Sequence, residues 1–230
     1  MDKLQKINFI YNNQEYNIIG DYKDYIFKKI QLEKIFFEFN ILKTISSFDY
    51  DGIYIDIGSN IGNHSLYFAN HCKSIKVYSI ECFPDTYNIL KQNINNNQSN
   101  VEIITLNCAI GDKIGETYLI EGKENNSGTN KTTDDETKIK IKLTTLDDLF
   151  DYDNIAVIKI DVEGDELKVI NGALNLIKKN HPLIIIEVHP KKRGKNLKTH
   201  KRNLKNIMDK LPDYEIVNKF NITYILKHQG

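Results

Sequence analysis

The chain has 230 residues, 40% of them hydrophobic and 27% charged, and its 31 lysines and arginines balance 31 aspartates and glutamates. That length suits one α/β domain with a sizeable core, and a net charge of zero leaves no global field to draw nucleic acid or an anionic membrane. No apolar run reaches the length of a membrane span and Met1 to Lys6 lacks the apolar core of a signal peptide. The three cysteines, Cys72, Cys82 and Cys108, form neither a disulfide framework nor a zinc spacing, so a cytoplasmic protein with reduced thiols is expected.

Residues 7–19 alternate weakly, as a short hairpin or strand would. From Tyr22 to Ser47 apolar residues recur at three- and four-residue intervals, which predicts one or two helices. Residues 1–48 are therefore expected to form a strand and helical extension packed on a main domain, residues 49–230. Glu38, within the helical stretch, reads first as a solvated charge, with contact to a cofactor or substrate as the alternative. The first core strand covers 53–57 and runs into Gly58-Ser59-Asn60-Ile61-Gly62-Asn63-His64, with a helix from 62 to 70. A strand at 75–80 ends at Glu81. Cys82-Phe83-Pro84 turns the chain, and Pro84 suits the first turn of a helix to Asn95.

Residues 101–106 are a third strand, before Asn107-Cys108-Ala109. Residues 113–120 and 138–143 read as two added strands around the loop 121–137. That loop has no apolar anchor and is expected to be a mobile surface excursion or a lid. Residues 145–150 form a short capped turn, 155–160 a fourth strand, 165–179 a helix and 183–186 a fifth strand. A basic helix at 195–210 and two closing strands at 214–217 and 222–226 complete the chain.

Strands alternating with helices argue for a mostly parallel sheet covered on both faces, while the short link between the last two strands demands an antiparallel pair. Ligands bind such sheets beyond the carboxyl ends of the strands. Those ends hold Asp56 to Gly62, Glu81 to Phe83, Asn107 to Ala109, Asp161 to Gly164 and Glu187 to His189. A G-x-G-x-x-G dinucleotide fingerprint starting at Gly58 fails, because Asn60 and Asn63 occupy its second and third glycine positions. Glu81, at the end of the second strand, is placed to accept from two ribose hydroxyls. Nicotinamide and adenosyl ligands share that feature, so it does not separate them.

Asp56-Ile57-Gly58-Ser59-Asn60-Ile61-Gly62 resembles the first motif of Rossmann-like methyltransferases, and most of all that of the FkbM family. Lys159-Ile160-Asp161-Val162-Glu163-Gly164-Asp165-Glu166 closely resembles that family's K-I-D-V-E-G-x-E motif. Thr144-Thr145-Leu146-Asp147, Val169-Ile170-Asn171-Gly172-Ala173 and Ile184-Ile185-Ile186-Glu187-Val188-His189 match its flanking pattern. The joint likeness spans about residues 53–190; Ser59 stands where the family often has alanine.

The resemblance implies an α/β, Rossmann-like methyltransferase fold: a mostly parallel seven-stranded sheet with an antiparallel C-terminal hairpin. It also implies S-adenosylmethionine (SAM) as cofactor, held by Asp56, Gly58, Ser59, Asn60, Gly62, Asn63, Glu81, Cys82, Phe83, Cys108, Ala109 and Asp161. The implied reaction is methyl transfer to a hydroxyl of a sugar, glycan or other small molecule. The attacking hydroxyl must lose a proton, and Asp161, Glu163, Glu187 and His189 are the candidates to take it. Asp161 and Glu187 could share a divalent ion, but no ligand spacing is visible and no metal is expected. The basic run of Lys191 to Lys195 and Lys198 to Lys205 reads first as a solvated face. Its alternative is attraction of an anionic acceptor, RNA included, although no stacking-aromatic motif accompanies it. A nicotinamide oxidoreductase and a non-catalytic SAM-binding module are the remaining rivals.

Overall fold

A computed structural model of the chain describes residues 3–122, 126–133, 135, 136, 138–189 and 197–230. It opens with an antiparallel hairpin of β1 (Leu4–Tyr11) and β2 (Gln14–Asp21). Asn12 and Asn13 make the two-residue turn, both at positive φ, a backbone state asparagine tolerates and tight hairpins require. Helices α1 (Tyr25–Glu33) and α2 (Phe39–Ser47) follow. The helical stretch divides because Lys34 and Glu38 both sit in the left-handed region.

Next come β3 (Gly52–Ile57), α3 (Asn63–His71), β4 (Ser74–Ile80), α4 (Pro84–Asn95) and β5 (Glu102–Leu106). A smaller excursion holds β6 (Ala109–Ile110), β7 (Gly115–Ile120), a 3-10 turn at Ser127–Thr129, β8 (Lys131–Thr133) and β9 (Ile139–Thr144). The chain closes with α5 (Leu146–Leu149), β10 (Ile155–Ile160), α6 (Glu166–Asn171), α7 (Leu174–Asn180), β11 (Leu183–Glu187), α8 (Leu197–Met208), β12 (Tyr214–Phe220) and β13 (Thr223–His228).

The large sheet has seven strands in the order β12-β13-β11-β10-β3-β4-β5. β5, β4, β3, β10 and β11 are mutually parallel, and β13 runs against both β11 and β12. Its central strands are apolar on both faces, as strands covered on both sides must be. Ile55, Ile57, Ile158, Ile160, Ile184 and Ile186 face α6, α7 and α8. Tyr54, Val157 and Ile185 face α3, and that layer also takes in Phe9, Tyr16, Phe27, Phe36 and Leu42 of the N-terminal segment. Asn93 of α4 stitches the same segment to the centre: its amide bonds the backbone of Ile19 and the carbonyl of Ile61 at 2.7–2.9 Å.

Two expectations change. The stretch 165–179 is two helices, broken at Gly172, where any β-carbon would overlap the Gly111 carbonyl. The break lets α5 dock: the Gly172 carbonyl accepts from Asp147 N–H, and the Asp147 carboxylate caps α7 through the N–H groups of Asn175 and Leu176. The segment 121–137 is not an unanchored excursion where it is described. β8 pairs with β7, and a second sheet of order β6-β9-β7-β8 forms. Hydrogen bonds anchor it where apolar residues were lacking. Among the described residues no helix is long and apolar enough to cross a membrane.

Candidate active site

The carboxyl ends of β3, β4, β10 and β11 open on a cleft of about 1200 Å³, contiguous with solvent, roofed by α1, the α1–α2 link and residues 126–132. At its centre is the turn after β3. Gly58 holds φ +74°, Asn60 +49° and Gly62 +90°. A β-carbon at Gly58 would overlap the carbonyl oxygen of Asp161, so glycine is what allows β3 and β10 to end side by side.

The turn spends its donors on itself. The N–H groups of Gly58 and Ser59 both reach the Ile80 carbonyl, at 2.9 and 3.0 Å. Asn60 N–H reaches Glu81 Oε2 at 3.0 Å, Ile61 N–H reaches Asn60 Oδ1 at 2.8 Å, and Gly62 N–H reaches the Ser59 carbonyl at 2.9 Å. A pyrophosphate needs free N–H donors at this position. A turn without them offers an anion no such cradle.

Glu81, 7% exposed, is fixed by two backbone donors, Asn60 N–H on Oε2 and Phe83 N–H on Oε1 at 2.8 Å. Each oxygen keeps a lone pair for a hydroxyl. Burial raises its pKa to about 7, against those two hydrogen bonds, with Asp161 and Asp56 adding to the rise. Ile80, Cys82, Cys108, Ala109 and Ile110 give the adjoining wall a mainly apolar surface.

Across the cleft, charge crowds. The parallel register sets Lys159 beside Asp56 and Ile160 beside Ile186. Lys159, 5% exposed, lies 3.4 Å from Asp56 Oδ1 and 3.5 Å from Asp161 Oδ2. Burial works against its charge, but Asp56, Asp161, Glu38 and Glu187 together hold it protonated well above the ordinary lysine range. Asp161 feels burial the other way, yet Lys159, His189 and His64 keep its pKa near about 2.

His189 lies among three carboxylates. Its Nε2 is 3.3 Å from Glu187 Oε1 and 3.6 Å from Asp161 Oδ1, and its Nδ1 is 3.4 Å from Glu163 Oε2. Burial opposes the imidazolium, but those carboxylates raise its pKa to about 11. Burial raises Glu163 to about 7, with His189 pulling the other way, and it raises Glu187 also. Two polar side chains of α8 brace this corner: Asn203 donates to the His189 carbonyl at 2.7 Å, and His200 bonds the Val188 carbonyl at 3.0 Å.

The roof is latched by hydrogen bonds. Asp24 caps α1 with Oδ1 and accepts from Ser127 N–H and Oγ with Oδ2, at 2.7 and 2.8 Å. Ser127 Oγ also lies 3.1 Å from Asn60 Nδ2. Thr132 Oγ1 donates to Asp165 Oδ2.

Residues 56–217, more than half of the chain, match the domain family described as the methyltransferase FkbM domain. The chain belongs to the FkbM methyltransferase family. It is 28% identical over 142 residues to the hexuronic acid methyltransferase AglP of Haloferax volcanii, a match covering 60% of this chain and 56% of that protein. The chain thus spans little more than half the length of that curated relative. Among solved structures it is similar to the methyltransferase FkbM from Methylobacillus flagellatus KT, with TM-score 0.56, 20% identity, and coverage of 77% of this chain and 44% of that one. It is also similar to the Methanococcus jannaschii fibrillarin pre-rRNA processing protein, with TM-score 0.51, 14% identity, and coverage of 98% and 84%. At these identities the two likenesses speak for the fold, which is the Rossmann-like methyltransferase fold.

In this FkbM chain Gly58, Ser59, Asn60, Asn63, Glu81, Cys82, Cys108, Ala109, Asp161, Glu163 and Glu187 all line the cleft. Asp56, Gly62, Phe83 and His189 do not. Asp56 is fully buried behind the turn, accepting from Ser65 Oγ at 2.6 Å, and supports the floor from beneath. Gly62 sits against Leu90, and Phe83 serves through its N–H. His189 reaches the cleft only through the carboxylates around it.

Sequence reading passed over several lining residues. Glu38, read first as a solvated charge and second as a contact residue, lines the cleft with Oε2 3.3 Å from His64 Nε2. Its left-handed φ of 57° turns it inward from the start of α2. His64, Lys159, Tyr25, Phe37 and Ser127 also line the cleft. An acid opening a helix and a lysine inside an apolar strand were the available signals. Lys191 to Lys195 lie outside the described residues, and so does the side chain of Lys198. Lys201, Arg202 and Lys205 are exposed on α8 and do not line the cleft.

Proposed function

We propose that this chain transfers a methyl group from SAM to a hydroxyl oxygen of a sugar or other small hydroxylated molecule. The observation that carries the reading is Glu81, a preorganised carboxylate beside a turn that offers no free N–H from 58 to 62. A ribose diol finds its acceptor there, and a cationic sulfonium meets acids where a pyrophosphate would need donors. Cys82, Cys108, Ala109 and Ile110 supply the flat apolar wall an adenine requires, with Gly58, Ser59, Asn60 and Asn63 shaping the floor. Asp161 accepts from the ammonium of the methionine end. Bound SAM supplies an activated methyl group.

The protein's own work is alignment and proton removal. The acceptor enters between the roof and the ends of β10 and β11, where Glu163 and Glu187 line the cleft. Glu163 takes the hydroxyl proton as the oxygen bonds the methyl carbon and the carbon–sulfur bond breaks. His189 Nδ1 faces Glu163 and orients it. The sugar-acid methyltransferase among the relatives supports a carbohydrate acceptor. Cytoplasmic residence and the division at residue 48 belong to the same proposal.

Calorimetry with SAM, S-adenosylhomocysteine and NAD, followed by S-adenosylhomocysteine release over a panel of neutral sugars, hexuronic acids and RNA, tests the reading. Binding of SAM with turnover on a carbohydrate is expected. Binding of NAD but not SAM, or turnover on RNA alone, would overturn it.

A further inference from the structure

The acceptor end of the cleft carries a second arrangement that methyl transfer by itself does not require. Asp161 follows β10, Glu187 ends β11, and His189 lies two residues on. Because Ile160 and Ile186 are in register, these groups leave the sheet side by side. One ligand atom from each lies within 4.8 Å of the other two. His189 Nε2 is buried yet has no hydrogen-bond partner among the described residues. Its neighbours, Glu187 Oε1 at 3.3 Å and Asp161 Oδ1 at 3.6 Å, are beyond the ~2.7–2.9 Å of a charge-assisted hydrogen bond. Metal bonds of about 2.0–2.2 Å place two adjacent ligand atoms about 2.8–3.6 Å apart, from octahedral to tetrahedral angles. The spacing is longer than a strong charge-assisted hydrogen bond and lies within the range that a shared ion sets.

Three further observations point the same way. The other ring nitrogen, Nδ1, faces Glu163 Oε2 at 3.4 Å, the carboxylate backing that metal-bound imidazoles commonly have. Carboxylates outnumber cations here, since Lys159 is shared between Asp56 and Asp161 while Glu38, Glu163 and Glu187 crowd the same space. Separately, His64 is more than nine-tenths buried, and its Nε2 also lacks a hydrogen-bond partner. It lines a recess shared with Glu38, Lys159, Asp161 and Glu187. A buried, unbonded ring nitrogen in a recess walled by acids calls for a partner such as a water held on a cation.

We propose that Asp161, Glu187 and His189 form a divalent-cation site, with coordination positions left open toward the cleft. Two carboxylate oxygens and one imidazole nitrogen suit a first-row divalent ion such as Mn²⁺. On the methyl-transfer reading above, the ion would hold the acceptor oxygen and make its proton easier to remove. It would also let an anionic uronate enter an acid-walled cleft. Binding of the ion itself does not depend on that reading.

The full chain is stripped with EDTA and titrated with Mn²⁺ alone, followed by electron paramagnetic resonance. One tightly held Mn²⁺ per chain is expected, with a single nitrogen coupling in the electron spin echo modulation. Glu187→Gln and His189→Gln should each weaken binding at least about tenfold. No binding up to millimolar Mn²⁺, binding without nitrogen coupling, or unchanged affinity in both folded variants would overturn the site. Where a variant does not fold by circular dichroism, the nitrogen coupling of the unaltered chain decides. SAM calorimetry on the same samples separates the two proposals: nitrogen-ligated Mn²⁺ without SAM binding upholds the cation site and overturns the methyl-transfer reading.

Discussion

The two halves of the cleft floor differ in how they settle their polar groups. Under β3 and β4 they close on one another except at Asp56 Oδ1, which makes no hydrogen bond and has only the Lys159 ammonium at 3.4 Å. Asp56 takes Ser65, Ser65 meets Ser79 at 2.7 Å, and Glu81 takes two backbone donors. At the ends of β10 and β11 and the start of α2, ring nitrogens of His64 and His189 stay without hydrogen bonds among three or more carboxylates. A buried polar network that is fully paired is a rigid template, and one left partly unpaired is high in energy until a partner arrives. The first half, paired but for that one oxygen, is therefore the more rigid of the two. The second half leaves two buried ring nitrogens unpaired beside its carboxylates.

The sharpest test of that contrast removes the acid proposed to act on the acceptor. Glu163→Gln should lower kcat by about 10²–10⁴ and leave SAM affinity unchanged by calorimetry. A kcat near that of the unaltered chain would move the chemistry elsewhere. Lys159→Met strips the cation that the two halves share, stranding Asp56 at 0% exposure. A cost of about 3–5 kcal/mol is expected from urea unfolding, and a neutral result would show that the Lys159–Asp56 pair contributes nothing to stability. Gly58→Ala breaks the seam itself. Its positive φ and overlap with the Asp161 carbonyl predict a loss of roughly 3 kcal/mol in the same assay, and SAM affinity should fall with it.

Smaller effects belong to the prebuilt half. Glu81→Ala should cost about 1.5–3 kcal/mol in SAM binding, and unchanged affinity would show that the ribose lies elsewhere. The folded pKa of Glu81 is raised to about 7 from 4.5, so its carboxyl holds a proton more tightly folded than unfolded. Its ionisation erodes stability as pH rises from about 4.5 to 7. If the carboxylate holds the ribose as proposed, SAM affinity should fall below about pH 7, by up to roughly tenfold per unit. Glu81→Gln should flatten both profiles, and an unaltered slope would assign them to another group. The least effect is expected at the roof. Ser127→Ala gives up the Oγ bonds to Asp24 and Asn60 while keeping the N–H bond to Asp24, and should cost about 0.5–1.5 kcal/mol. Hydrogen exchange reads this as earlier opening of residues 126–133, and an unchanged exchange pattern would mean the latch contributes nothing.

What could be seen in the chain alone was whatever repeats or punctuates locally. The apolar runs of β3, β10 and β11 announce strands covered on both faces, and Gly58 and Pro84 mark the turn and the helix start. Glu81, Asp161 and Glu187 follow as strand-end acids, because a parallel sheet puts all its carboxyl ends on one edge. Hydrogen bonds between distant segments were not visible in that way. Ser127 is an ordinary polar residue until Asp24, 103 positions away, accepts from it, and Glu38 is an ordinary helix acid until its left-handed φ turns it onto His64. The break at Gly172 depends on Gly111 standing behind it. Periodicity and turn chemistry act between near neighbours and can be read from order alone, whereas electrostatic crowding depends on distance in space. The sheet order and the pairing of Lys159 with Asp56 set those distances, so the acid-walled half of the cleft was decided by the folded chain.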